Sequence, residues 1–349
     1  MISRRVGDAA AVIILIAAAT LVWAGQDGGQ NAGNFRDEMA RKSSQSGLAI
    51  GDIGGSVMRI LPLEGGYQWD LTHRNYLDKN LGPCGVCPGW FSQDGRLIVW
   101  EVWPYSILKP EEPSILVQTI AGQTIATWVG LINSTSALAL SPDKSRVALE
   151  VFNHETSMPV TGLQYVVLGT SKRVFLEPQP PEKEPLGSRS IGWSPDSRRI
   201  VYSRHSRVLT VDIETAKREE IAEGNNPAWS PDGRWISYAT LDKRPMLMDP
   251  STGRVIKLWA GRQITGPIAW APDSCCISFS SDANDIKDAW DRVVYPGGNL
   301  IVYRISDGSW FKLSGFFASG PQTSAGFGWF YGYKDFLARN EANGRAPRK

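Results

Sequence analysis

The sequence predicts an all-β fold, a β-propeller of six four-stranded blades closed by pairing of its N- and C-terminal strands. Three observations predict it: a short phrase written five times, a period-two apolar run after each copy, and two incomplete ends that complement one another.

The phrase is clearest at Trp229-Ser230-Pro231-Asp232-Gly233-Arg234, and variants stand at Trp193-Ser194-Pro195-Asp196-Ser197, Trp270-Ala271-Pro272-Asp273-Ser274 and Leu140-Ser141-Pro142-Asp143-Lys144. A degenerate fifth copy reads Phe91-Ser92-Gln93-Asp94-Gly95. The aspartates at 94, 143, 196, 232 and 273 are separated by 49, 53, 36 and 41 residues, close to the about 40–50 residues of propeller repeats. Each phrase is a hairpin corner: Pro presets φ at the second turn position, Asp bonds its own backbone, and Gly or Ser closes the turn.

After each corner apolar residues alternate, as in Ile200-Tyr202, Ile236-Tyr238 and Ile277-Phe279, which marks a strand with one face packed. A second strand follows (Val208–Asp212, Met246–Asp249), then a turn (Glu214–Lys217, Pro250–Gly253) and a further strand such as Val255–Leu258. With the strand before the corner, four strands make one antiparallel blade.

The run W-S-P-D-G-R, then I-x-Y, then a strand ending in Asp and a T-G turn resembles the WD40-like (PD40) repeat of the TolB type of β-propeller, over most of residues 48–336. The resemblance implies an envelope protein that works by binding other proteins. It departs from the TolB family in one respect, since that family carries an α/β domain ahead of its propeller and no such domain is expected here.

Residues 48–71 offer three strand-like pieces, Leu48–Ile50, Val57–Leu61 and Tyr67–Trp69, without a corner, whereas Ala325–Phe330 resembles the strand that leads into one. Together they complete a sixth blade and hide the edges that an open sheet would expose. Five blades with irregular ends is the competing count.

With 349 residues, 42% hydrophobic, 35 Gly and 22 Pro, the chain reads as one all-β domain. Its formal charge of +2, from 37 basic and 35 acidic residues, concentrates on no strand platform, so nucleic acid is not an expected partner. Arg4-Arg5, an apolar run from Ala9 to Trp23 and the small residues Val22 and Ala24 read residues 1–24 as a secretory signal or an N-terminal anchor. The run is shorter than the ~20 residues a spanning helix needs, which favours export to the periplasm or beyond over an inner-membrane anchor carrying a periplasmic propeller. No Cys follows it, so a lipoprotein is not expected. Residues 25–47, rich in Gly, Asn, Gln and Ser, read as a flexible tether, and residues 337–349 as a disordered basic tail.

Loop length separates the two faces of the disc. Corners and second turns are tight, whereas the other connections swell to Trp103–Pro113, Asn153–Gly162, Ser281–Asn299, Thr72–Gly89, Glu177–Arg189 and Ser314–Ser324. Long loops on a rigid scaffold are where binding concentrates. On them stand Trp103, Tyr105, His154, Trp290, Asp291, Phe316 and Phe317, the candidate binding set, with aromatics of the kind that anchor protein interfaces; the same aromatics would also serve to pack their own loops. The segment Glu177-Pro178-Gln179-Pro180-Pro181-Glu182 favours extended polyproline geometry, as a stiff connector or a recognition segment.

Chemistry is weakly signalled. His73, His154 and His205 fall on three loops of this face, near Asp282, Asp285, Asp288 and Asp291, but without metal-ligand spacing, and the Asp-rich loop lacks the glycine and terminal Glu of an EF-hand. No G-x-S-x-G elbow occurs. Cys84-Gly85-Val86-Cys87 reads as a local disulfide that trims a loop, and of Cys275-Cys276, at the start of a strand, one is expected in the core and a bond between them is not. The reading is a monomeric, non-enzymatic scaffold without cofactor or metal that binds a protein partner through its loop-rich face. The alternative is a glycan lyase or hydrolase at the channel mouth, acting by metal or acid–base chemistry.

Overall fold

The computed structural model describes residues 32–54, 57–64, 69–72, 89–102, 113–130, 135–151, 162–178, 190–258, 263, 264, 266–281, 286, 287, 293–295, 299–313 and 328–342. They form six four-stranded antiparallel sheets, two helices and one small hairpin. Blade 1 draws on both ends of the chain: β1 (Ala49–Gly54), β2 (Val57–Pro62) and β3 (Trp69–Thr72) lie beside β26 (Gly328–Phe330). Blade 2 is β4 (Gly89–Phe91), β5 (Leu97–Glu101), β6 (Pro113–Thr119) and β7 (Thr124–Val129). Blade 3 is β8 (Thr135–Leu140), β9 (Arg146–Val151), β10 (Gly162–Val167) and β11 (Arg173–Pro178). Blade 4 is β12 (Ile191–Trp193), β13 (Arg199–Arg204), β14 (Arg207–Asp212) and β15 (Arg218–Glu223). Blade 5 is β16 (Asn225–Trp229), β17 (Ile236–Ala239), β18 (Pro245–Met248) and β19 (Val255–Lys257). Blade 6 is β20 (Ala269–Trp270), β21 (Cys276–Ser281), β24 (Asn299–Arg304) and β25 (Trp310–Leu313), with the hairpin β22 (Ile286–Lys287) and β23 (Val293–Tyr295) inserted between its second and third strands.

The ring therefore has six blades and closes as expected, with β26 antiparallel to β1 in the register Ala49↔Phe330, Ile50↔Trp329 and Gly51↔Gly328. Gly51 is required by close approach: a Cβ there would stand 2.4 Å from the Phe91 ring, which stacks on Phe330 at 4.8 Å between centroids.

The core lies between blades. Between blades 3 and 4, Ala137, Ala148, Leu163 and Tyr165 meet Trp193, Ile200, Tyr202 and Val211. Some tryptophans of the innermost strands stitch neighbouring blades, because the indole N–H reaches a carbonyl on the innermost strand of the preceding blade: Trp193 to Ala139 at 2.9 Å, Trp329 to Ala269 at 3.2 Å and Trp270 to Ala228 at 3.3 Å, the last also donating to Ser237 Oγ at 2.9 Å. The buried indole of Trp229 makes no such bond and contributes by packing alone.

Two stretches differ from expectation. Within residues 25–47, read as a tether, Ala32–Ser46 is a helix, α1. Its buried residues Phe35, Met39 and Ser43 recur every fourth position, the spacing of one helical face. Phe35 and Met39 are fully buried against Phe311, Leu313 and Leu300, each contributing about 1.5–3 kcal/mol by area. A stripe this narrow in polar sequence is masked by average composition. Gly47 ends the helix at φ 65°, its N–H donating to the Ser43 carbonyl at 2.9 Å, an αL cap. Within residues 337–349, read as a disordered tail, the chain continues α2 (Tyr333–Ala342), whose Phe336 and Leu337 pack on blades 1 and 2. In blade 1 the covalent corner is replaced by the two helices meeting, with the Tyr333 N–H on the Gly47 carbonyl at 3.2 Å and Lys334 Nζ on the Ser44 carbonyl at 2.9 Å.

Candidate functional site

Strand order assigns the connections to two faces. First-to-second and third-to-fourth strand turns lie on one, the corner face; second-to-third strand loops and blade-to-blade connections lie on the other, the loop face. The roots of the long connections, at Val102, Val151, Pro178, Ser281 and Leu313, all belong to the loop face. The candidate residues they lead to, Trp103, Tyr105, His154, Trp290, Asp291, Phe316 and Phe317, lie outside the described residues, as do Cys84, Cys87 and His73. Of the three histidines His205 is described: it is exposed at φ 50° in the two-residue turn between β13 and β14, on the loop face.

On the corner face four of the five phrase aspartates are held by a serine of their own turn. Ser92, Ser141, Ser194 and Ser230 donate from Oγ to Oδ1 of the aspartate two residues on, at 2.5–2.7 Å. Each Oγ in turn accepts the backbone N–H of Leu97, Arg146, Arg199 or Trp235 at 2.9 Å. Each Oδ1 also accepts an N–H from two residues further, at 2.9–3.1 Å. Partial burial pushes the carboxyls of Asp94, Asp143, Asp196 and Asp232 up, but the serine hydroxyl and the backbone donor outweigh it and hold all four below the ordinary Asp value. These aspartates are structural; none offers a free acid or base.

The innermost strands enclose an axial cavity of about 140 Å3 lined by Trp90, Leu138, Trp193, Ala228, Trp270 and Trp329. A bowl of about 280 Å3 on the corner face is ringed by Pro142, Pro195, Pro231 and Pro272. Gln93 borders both. It occupies the proline position of the degenerate copy, and its Nε2 reaches the Trp229 carbonyl at 3.2 Å. Blades 2 and 5 are opposite in a six-membered ring, so this bond spans the axis and bars it on the corner side.

At the roots of the loops between blades 3 and 4, the Arg204 guanidinium joins Glu150 at 3.2 Å and Glu177 at 2.8 Å. Arg218 stands 3.5 Å from Glu177, and the Tyr202 hydroxyl donates to Glu177 Oε2. Burial and the Glu177 acceptor push the Tyr202 phenol well above its usual range. Glu177 is the residue from which the proline-rich connection starts, so the network fixes that root. Neither this network nor the bar was read from sequence. Gln in a Pro position was its visible signal, whereas ion partners 54 and 27 residues apart leave none.

Cys275 and Cys276 are joined by a disulfide. The expectation of one core cysteine holds for Cys276, which is fully buried, but the expectation of no bond between neighbours is overturned, because both sulfurs lie at the same strand entrance beneath α1.

No protein-family model matches the chain, and no curated protein matches it. Among solved structures it is similar to TolB from Acinetobacter baumannii, with a TM-score of 0.52 and 12% identity over 81% of this chain and 66% of that one. It is also similar to a putative TolB from Agrobacterium tumefaciens, with a TM-score of 0.50 and 16% identity over 82% of this chain and 98% of that one. The chain thus spans about two thirds of the Acinetobacter protein's length. What blade count, closure and these likenesses together show is a six-bladed β-propeller of TolB-like fold.

Proposed function

We propose that this protein is a non-enzymatic scaffold of the bacterial cell envelope, exported through its N-terminal segment, whose propeller binds a protein partner through the loop face. One observation carries the reading: the disc is asymmetric. Its corner face is finished with tight turns whose carboxylates are internally satisfied, and the axis is barred there by Gln93. The long connections are rooted on the opposite face at Val102, Val151, Pro178, Ser281 and Leu313, and their sequences carry the aromatic candidates Trp103, Tyr105, Trp290, Phe316 and Phe317, residue types that dominate binding energy in protein interfaces. Likeness to TolB structures supports a place in the envelope. Among the described residues no helix is long and apolar enough to cross a membrane, and the run from Ala9 to Trp23 supports a periplasmic or secreted propeller, with an inner-membrane anchor as the other form of the same reading.

The test is a triple variant, Trp103→Ser, Trp290→Ser and Phe316→Ser, in the full chain. The reading expects an unchanged unfolding midpoint and loss of a discrete complex purified from the native host. A lowered midpoint with the complex retained assigns these aromatics to packing of their own loops and overturns the reading.

A further inference from the structure

The corner of blade 6 departs from the other four in three linked ways. Ala271 stands where they have Ser92, Ser141, Ser194 and Ser230, so no hydroxyl holds Asp273 or accepts the N–H of Cys276. Cys275 N–H still donates to Asp273 Oδ1 at 3.2 Å, but the remaining oxygen, Oδ2, takes the ammonium of Lys42 from α1. And the two residues after the turn, at positions filled elsewhere by Arg96-Leu97, Ser145-Arg146, Arg198-Arg199 and Arg234-Trp235, are the disulfide-bonded Cys275 and Cys276. Where four corners are fastened by a serine, the fifth is fastened by a covalent bond and by a helix.

That helix rests on the same few residues. Phe35 and Met39 of α1 share one buried cluster with Cys276, Ala271 and Phe311, and Cys275 packs against it half-buried. Phe35 meets Phe311 edge to face at 5.2 Å, and Arg304 lies over the Phe35 ring at 4.4 Å while pairing with Glu38 at 2.7 Å. α1 leads through Gly47 into β1, the strand that closes the ring.

We propose that Cys275–Cys276 is a redox site whose substrate is a dithiol reductant and whose state sets how tightly α1 is fastened across blade 6. A thiolate of the dithiol attacks Sγ of Cys275, the more accessible sulfur. The S–S bond breaks, and the Cys276 thiolate leaves and takes a proton. The second thiol of the reductant then attacks the mixed disulfide and releases Cys275, which is protonated in turn. Two electrons enter the protein and the reductant leaves as its disulfide. The reduced corner has neither covalent nor serine fastening, so Asp273 loses its fixed position and with it the tie to Lys42.

The test is peptide-resolved hydrogen exchange on the full chain, oxidised and after treatment with tris(2-carboxyethyl)phosphine, in a Cys84→Ser, Cys87→Ser background so that any change belongs to this pair. Reduction is expected to speed exchange in residues 32–46 and 271–276 by roughly tenfold, the effect of losing one strong tie to a locally opening element, with the blade 4 corner unchanged. Cys275→Ala with Cys276→Ala should exchange like the reduced protein. Ala271→Ser, which restores the missing hydroxyl, should blunt the response to reductant. Equal exchange of α1 in both redox states, or two free thiols by mass spectrometry in protein purified without reductant, overturns the proposal.

Discussion

Gln93 and Trp229 belong to opposite blades, and the side-chain amide of the first donates across the propeller axis to the backbone carbonyl of the second at 3.2 Å. Four of the five corners place proline at the corresponding position, and proline cannot make this bond. The departure of one copy from its repeat therefore does something the repeat cannot: it bars the axis on one side. Gln93→Pro, which restores the phrase, is expected to unfold at a denaturant midpoint equivalent to about 1 kcal/mol less stability and to join the two axial cavities. A crystal structure under xenon pressure, with gas in both cavities of the variant, checks the second outcome; a midpoint equal to the parent's contradicts the first.

Each corner serine makes two bonds from one fully or nearly buried oxygen. Ser230→Ala strands the Trp235 N–H and removes the hydroxyl from Asp232, so a loss of about 1–3 kcal/mol is expected. Ser194→Ala should cost the same within error, since its geometry is the same. Urea unfolding of both variants measures this, and a loss confined to one of them would show that the corners are not equivalent.

Arg204 bridges Glu150 and Glu177, with side-chain exposures of 8%, 1% and 14% in that order. Arg204→Met takes the guanidinium away from two largely buried carboxylates, and a loss of about 3–5 kcal/mol follows. Adding Glu150→Met should return much of that loss, because an apolar pair of similar volume removes the uncompensated charge. A double variant less stable than the single one would contradict this assignment.

The pH dependence has a definite sign. Asp94, Asp143, Asp196 and Asp232 all titrate lower in the folded chain than their ordinary value, so the folded state binds fewer protons than the unfolded state through that window. Their contribution is complete above the ordinary carboxylate range and is lost as pH falls through the folded values. The unfolding midpoint should be flat in this respect above about pH 5 and drop steeply below about pH 4. Ser230→Ala should make the drop shallower, and a midpoint that rises on acidification would contradict the corner geometry.

Blade count, closure and corner chemistry were legible in the sequence because each is local and repeated. Ser230, Pro231 and Asp232 build their turn from neighbours, and the spacing of the copies counts the blades. The two incomplete ends were legible as complements because Trp329 continues the series of stitching tryptophans. What was not legible depends on residues distant in sequence. The α1 stripe is only Phe35, Met39 and Ser43, and its meaning lies in the surface it lands on, around Phe311 and Cys276. Arg204 and Glu150 are likewise paired by the meeting of two blades, as are Lys42 and Asp273 by the docking of a helix. The Cys275–Cys276 bond was missed for a different reason: a pair of adjacent cysteines in a strand reads as one residue inward and one outward, and only the turn that opens the strand lets them meet.

The scaffold reading turns on which face meets a partner. The most direct measurement places a photo-crosslinking residue at Trp290, in a connection proposed to bind the partner, and another at Gly233 in a corner turn, and identifies adducts by mass spectrometry after irradiation in the native host. The account predicts one discrete protein adduct from position 290 and none from 233. An adduct from 233 alone, or none from either position, would contradict it.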